Sequence, residues 1–166
     1  RNSNEVADAI GGVTLRLLST GTSTATISVD DDAIVEDVNE FITAYNDAVT
    51  GLRNQITGSG ALAGDASFRQ IEDFLRGNIF NQIPGLSGPF ESLVAIGIDT
   101  GDSFDSGVVS PLQMDEDAFR EALRDDRANV RDLFSNTNGT GIADLFHAFL
   151  DEATSTTGYL NQRVKS

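Results

Sequence analysis

The sequence predicts a mainly α fold with small β-hairpins (α+β), built as an elongated helical bundle. Three observations predict it. Apolar residues recur at gaps of three and four over several long stretches, the period of a helix facing a core. Two short runs near the start alternate apolar and polar residues around Thr20-Gly21-Thr22-Ser23, as the arms of a hairpin do. Glycine and proline gather between these stretches rather than inside them.

Taken in order, Val6–Ile10 predicts one helical turn stopped by Gly11-Gly12. Val13, Leu15 and Leu17 alternate with polar residues, and Ala25, Ile27 and Val29 do the same, so these two runs are expected to pair. Asp32 is the expected N-cap of a long helix. Along it Ile34, Val38, Phe41, Tyr45, Ala48 and Leu52 form the main stripe, with Val35, Ile42, Val49 and Ile56 as a flanking row. About two dozen residues give a rod of about 36 Å. Asp65 is expected to cap a second helix over 66–82, with Phe68, Ile71, Leu75 and Ile79 on one side.

Pro84, Gly85, Gly88 and Pro89 then break the chain. Two apolar runs, Leu93–Ile98 and Val108–Leu112, suggest a second hairpin, and Pro111 restricts its second arm to an edge or irregular strand. Asp115, followed by Glu116 and Asp117, opens a helix with Phe119, Ala122 and Leu123 facing inward. Asp126 is expected to cap a short continuation carrying Val130, Leu133 and Phe134. After a loop at 136–141, Ile142, Leu145, Phe146, Phe149 and Ala153 give the last stripe, which Tyr159–Ser166 could resume beyond Gly158. Val38, Phe41, Tyr45, Leu52, Phe134 and Phe149 are expected to pack together.

Composition narrows the function. The 166 residues carry 26 acidic and 11 basic side chains, a formal charge of −15. That sign opposes nucleic acid, whose phosphates need a basic stripe, and anionic membrane surfaces alike. Lys165 is the single lysine. Abundant Asp with almost no Lys fits a high-salt milieu, where screening tolerates self-repulsion, as well as a merely soluble acidic surface. The lack of cysteine removes disulfides and thiolate metal sites. No secretory signal and no membrane-spanning run is present.

No catalytic, cofactor-binding or metal-binding residue is assigned. His147, the sole histidine, has no identifiable nucleophile, carboxylate partner or co-ligand in the sequence and reads as a helix-surface or interhelix residue. Asp30-Asp31-Asp32 could attract a cation, but Asp99, Asp102 and Asp105 lack the alternate spacing, central glycine and closing glutamate of a calcium loop. "GSGALAGD" has no following Lys-Ser/Thr, so it is no phosphate-binding loop. The residues therefore read as a non-enzymatic structural or interaction protein, without cofactor.

Six motifs occur in order along nearly the whole chain: "RNSNEVADAIGGVTLRL" with "ATISVDDD", "VNEFITAYNDAV", "GALAGDASFRQIEDFLR", "LVAIGI", "LQMDEDAFREAL", and "VRDLFS" with "GIADLFHAFLDEATSTTGYLNQR". Together they resemble the C-terminal region of the bacterial flagellar filament cap proteins, also called hook-associated protein 2. That family often has proline where Arg127 stands.

The resemblance implies that residues 1–166 form one domain, the C-terminal part of a helical leg. The head domains, the N-terminal half-leg and the final tail would lie outside it. It implies a structural protein, exported by the flagellar apparatus without a cleavable signal, that caps the filament tip. There it would promote folding and polymerisation of flagellin and prevent monomer loss. Implied partners are further copies in a ring, flagellin and an export chaperone, with no nucleic acid and no membrane. Other axial proteins (a flagellin or a hook–filament junction protein) and an adhesin-like binding module are the alternatives.

Overall fold

A computed structural model of the chain describes residues 4–10, 13–24, 29–60, 62–101 and 110–155. Two strands open it, β1 (Glu5–Ile10) and β2 (Val13–Arg16). Helices α1 (Asp31–Ile56) and α2 (Ala66–Asn78) follow. A 3-10 turn at Leu93–Ile96 leads into β3 (Ile98–Asp99). Strand β4 (Gln113–Met114) runs directly into α3 (Glu116–Phe134), and α4 (Ile142–Thr154) completes the described fold.

The first strand pair differs from expectation. Val6–Ile10 is extended, not helical, and belongs to β1, which pairs antiparallel with β2. A single isolated turn of helix is a costly nucleus, whereas a strand shares its hydrogen bonds with a partner. Val6 faces Leu15, and Glu5 faces Arg16 as an opposite-charge pair. In sequence Gly11-Gly12 is a two-residue hairpin signal. Of the run expected to pair with β2, residues 25–28 lie outside the described residues, and Val29 at its end is exposed.

Helix α1 starts two residues earlier than expected. Asp30, not Asp32, is its N-cap, and its Oδ1 accepts from the amides of Asp32 (3.1 Å) and Ala33 (3.2 Å). At 26 residues the rod is about 39 Å long. The flanking row is the deeper one: Val35, Ile42, Val49 and Ile56 are buried together with Val38. Ile34, Phe41, Tyr45 and Leu52 are half-buried, and Ala48 faces solvent. The stripe is wide, and its buried axis runs along the seven-residue row.

Asp65 caps α2 as expected, accepting from the Ser67 amide at 2.8 Å. The helix ends at Asn78 rather than near 82. There the Asn78 side chain donates to the Phe74 carbonyl at 2.7 Å, occupying an acceptor near the helix end. Leu93–Ile96 winds into a 3-10 turn because Gly97, at φ +81°, closes it in the left-handed region. A Cβ on Gly97 would also stand 2.8 Å from that of Ala118, so the residue lets the turn lie against α3. The second hairpin exists, with Ile98 opposite Met114 and Asp99 opposite Gln113. Its second arm falls after Pro111, not on Val108–Leu112; residues 102–109 lie outside the described part.

Asp115 caps α3, accepting from Ala118 at 3.1 Å, and Phe119, Ala122 and Leu123 are buried. Asp126 breaks the helical path (φ −152°, ψ 83°), and its side chain caps the continuation through the Asn129 amide at 3.0 Å. Arg127 is thus the first residue of a new helical segment, the position that suits proline. Residues 156–166, where α4 was expected to resume, lie outside the described residues. The core gathers all four helices, the 3-10 turn and Ile98 around fully buried Phe119, Leu133 and Ile142.

Candidate interaction groove

The aspartate triplet is committed to the fold. Asp30 caps α1, Asp31 Oδ1 lies 2.7 Å from Arg127 Nη2, and Asp32 Oδ1 accepts from Arg120 Nη2 at 2.7 Å. Three adjacent carboxylates therefore start a helix and tie it twice to α3. Asp99 caps a turn through the Gly101 amide (2.6 Å), and Asp102 and Asp105 lie outside the described residues. Among the described residues no group of three or more His, Asp or Glu could hold a metal. His147 is exposed on α4.

The six residues expected to pack together all lie in or against the one core, and their four aromatic members divide between two groups of ring contacts. Phe41 meets Phe134 edge-on, with ring centroids 5.8 Å apart. Tyr45 stacks on Phe146 at 6.2 Å, Phe146 meets Phe74 edge-on, and Phe74 stacks on Phe149 at 3.7 Å. The second group ties α1, α2 and α4. Burial pushes the Tyr45 hydroxyl up to about 12, against a smaller opposing effect of Arg76.

Phe41 and Phe134 also line an open apolar groove of about 370 Å³ where α1, α3 and the start of α4 meet. Ile34, Val38, Leu123 and Ala143 complete its apolar lining, with Arg127 and Arg131 on the α3 wall and Asp37 on the α1 wall. The α1 spacing made these apolar residues legible as a helix face. The arginine wall was not, since nothing local in the sequence says that Asp31 and Arg127, 96 positions apart, will meet.

The described residues thus form a helical bundle with two strand pairs and an open apolar groove. Its family is resolved by comparison. All of residues 1–166 match the model for the flagellar hook-associated protein 2 C-terminus, and the chain belongs to that family. It is 30% identical to flagellar hook-associated protein 2 of Salmonella typhimurium over 146 residues, covering 80% of this chain and 30% of that protein. It is 28% identical to the B-type flagellar hook-associated protein 2 of Pseudomonas aeruginosa, covering 98% of this chain and 35% of that protein. The crystal structure of the D1-D2-D3 domains of the Escherichia coli flagellar cap protein FliD superposes with a TM-score of 0.84 at 29% identity, over 98% of this chain and 45% of that one. The chain thus spans about a third of the length of these two curated relatives.

Proposed function

We propose that this domain is one half of the helical leg of a flagellar filament cap, and that its groove receives a helix from the other half. The groove carries the reading. It leaves Phe41 and Phe134 half-exposed at a junction of three helices, in a domain covering about a third of its curated relatives. An apolar trough between helices is the usual seat of a further amphipathic helix. The role is structural and not catalytic. In the complete protein, copies form a ring at the distal end of the filament, outside the cell. Flagellin folds and inserts beneath it, and monomers are kept from escaping. Copies of itself, flagellin and an export chaperone are the partners. A chain without cysteine suits passage unfolded through the flagellar export channel.

The test fills the groove in the full-length protein. Ala143→Trp, expressed in cells lacking their own cap protein, is expected to abolish swimming and release flagellin monomers into the medium while the variant itself is still exported. Filaments of normal length with the groove filled would overturn the reading.

A further inference from the structure

The turn between α3 and α4 is organised by one side chain. Asn136 Oδ1 accepts from the amides of Asn138 (3.0 Å) and Thr140 (3.2 Å). Its Nδ2 donates to the Asp132 carbonyl at 3.0 Å and to the Thr140 hydroxyl at 3.1 Å. The Asn136 carbonyl accepts from the Gly139 amide at 3.0 Å. Within this turn Asn138 is exposed, and its side-chain amide makes no hydrogen bond to the described residues. Gly139 follows at φ +68°, with nothing within 4 Å of where a Cβ would stand. No other asparagine of the chain precedes a glycine.

We propose that Asn138 is a site of spontaneous deamidation, and that Asn136 is the latch that sets its rate. The Gly139 backbone nitrogen attacks Asn138 Cγ. The N–Cγ bond forms, the Cγ–Nδ2 bond breaks, and Nδ2 leaves as ammonia with the proton that the Gly139 nitrogen gives up. Water then opens the cyclic imide. Opening at the side-chain carbonyl yields aspartate. Opening at the backbone carbonyl yields isoaspartate, whose main chain is one methylene longer. Water enters and ammonia leaves, so no oxidant or reductant is needed. Glycine matters because it carries no side chain to screen the attacking nitrogen. In the closed turn that N–H is held by the Asn136 carbonyl, so attack requires local opening, and the open population sets the rate. Either product adds a negative charge to a chain that carries −15, in a small pocket shared with Asp132. The turn also carries the bonds from the Thr140 hydroxyl to the Pro84 carbonyl and from the Asn136 amide to Asp144. A longer main chain through it loosens α4 from the end of α3.

The experiment ages the folded full-length protein and maps its peptides by mass spectrometry, with electron-transfer fragmentation separating aspartate from isoaspartate. Conversion is expected at Asn138 before any other asparagine of this domain, and faster as pH rises, because the attacking nitrogen must lose its proton. Asn136→Ala removes both bonds that Oδ1 accepts and should speed conversion about tenfold, with exchange of the Gly139 amide rising in parallel. Should that variant not fold, the parent itself tests the latch: its conversion should be slower folded than in urea, by the factor that protects the Gly139 amide from exchange. A folded protein whose Asn138 stays fully intact while the urea-unfolded chain converts, or in which another asparagine of this domain converts first, overturns the site. Equal rates in the parent and folded Asn136→Ala, or in the folded and unfolded parent, overturn the latch.

Discussion

Asn46 and Leu112 are joined by two hydrogen bonds across 66 residues of sequence. The Asn46 side chain donates Nδ2–H to the Leu112 carbonyl at 2.9 Å, and its Oδ1 accepts from the Leu112 amide at 2.7 Å. One side-chain amide on α1 thus imitates a strand and satisfies both backbone groups of a residue that is 2% exposed. Asn46→Ala would strand both groups in the interior. It is expected to destabilise the domain by about 2–4 kcal/mol by urea denaturation and to speed exchange of the Leu112 amide. Asn46→Asp keeps the acceptor but sets a carboxylate against a carbonyl, so it should recover only part of the loss. Unchanged Leu112 exchange in Asn46→Ala would show that the pair does not hold the segment.

Phe119 in the core and Phe41 at the groove should behave differently. Phe119 is fully buried, and Phe119→Ala is expected to cost about 3–5 kcal/mol in urea denaturation. Phe41 is half-buried at the groove, with one edge against Phe134, so Phe41→Ala in the isolated domain should cost less, about 2 kcal/mol. If a helix is seated in the groove of the full-length protein, the cost at Phe41 should rise there toward that at Phe119, because the helix completes its burial. Equal costs at Phe41 in both contexts would mean that nothing covers it.

Local signals carried most of the helices. Asp65, Asp115 and Asp126 were legible as caps because a short acidic side chain before an apolar-periodic run has one common use. The strand pairs were harder. The order of pairing around Gly11-Gly12 depends on what Glu5 and Val6 face, and an apolar run such as Leu93–Ile98 has the same composition as strand or turn until Gly97 fixes the backbone. Asp30 took the cap from Asp32 because all three aspartates suit it locally, and Arg120 and Arg127 claim the other two. The groove was legible only as an apolar α1 face. Its arginine wall and the Asn46–Leu112 clamp depend on contacts between residues far apart in sequence.

Helix α4 begins without a capping side chain at Gly141, and Asp144 in its first turn ties it to the end of α3. Its carboxylate accepts from the Asn136 amide at 3.0 Å and the Ser135 hydroxyl at 2.8 Å, and these bonds, the amide first, hold its pKa below the ordinary carboxylate range. A depressed folded-state pKa stabilises the fold above the unfolded value of about 3.9 and is lost as pH falls through the lower folded value. Asp144→Asn should therefore be less stable than the parent at pH 7, with the gap closing as pH falls below the unfolded value and through the lower folded one. Urea midpoints across that range measure it. A gap that stays constant would assign the loss to shape rather than charge.

Association should respond to salt in the direction of repulsion. Glu36, Asp37, Glu40 and Asp47 stand exposed on α1, none of them meets a cation among the described residues, and the whole chain carries −15. Glu36 and Glu40, one turn apart, already repel within the helix. Two copies facing each other through this surface add their charges across the interface, and the effect is screened beyond a Debye length of about 8 Å at physiological strength and about 3 Å at 1 M. The apolar groove pulls the other way and is barely weakened by salt. The isolated domain is therefore expected to be a monomer or weak oligomer at low salt, with association growing as sodium chloride rises to molar levels. Light scattering across that series measures it, and Glu36→Gln with Glu40→Gln should move the onset to lower salt. Tight oligomers at low salt that separate as salt is added would mean that attractive ion pairs hold the interface. The repulsion argument would then fail.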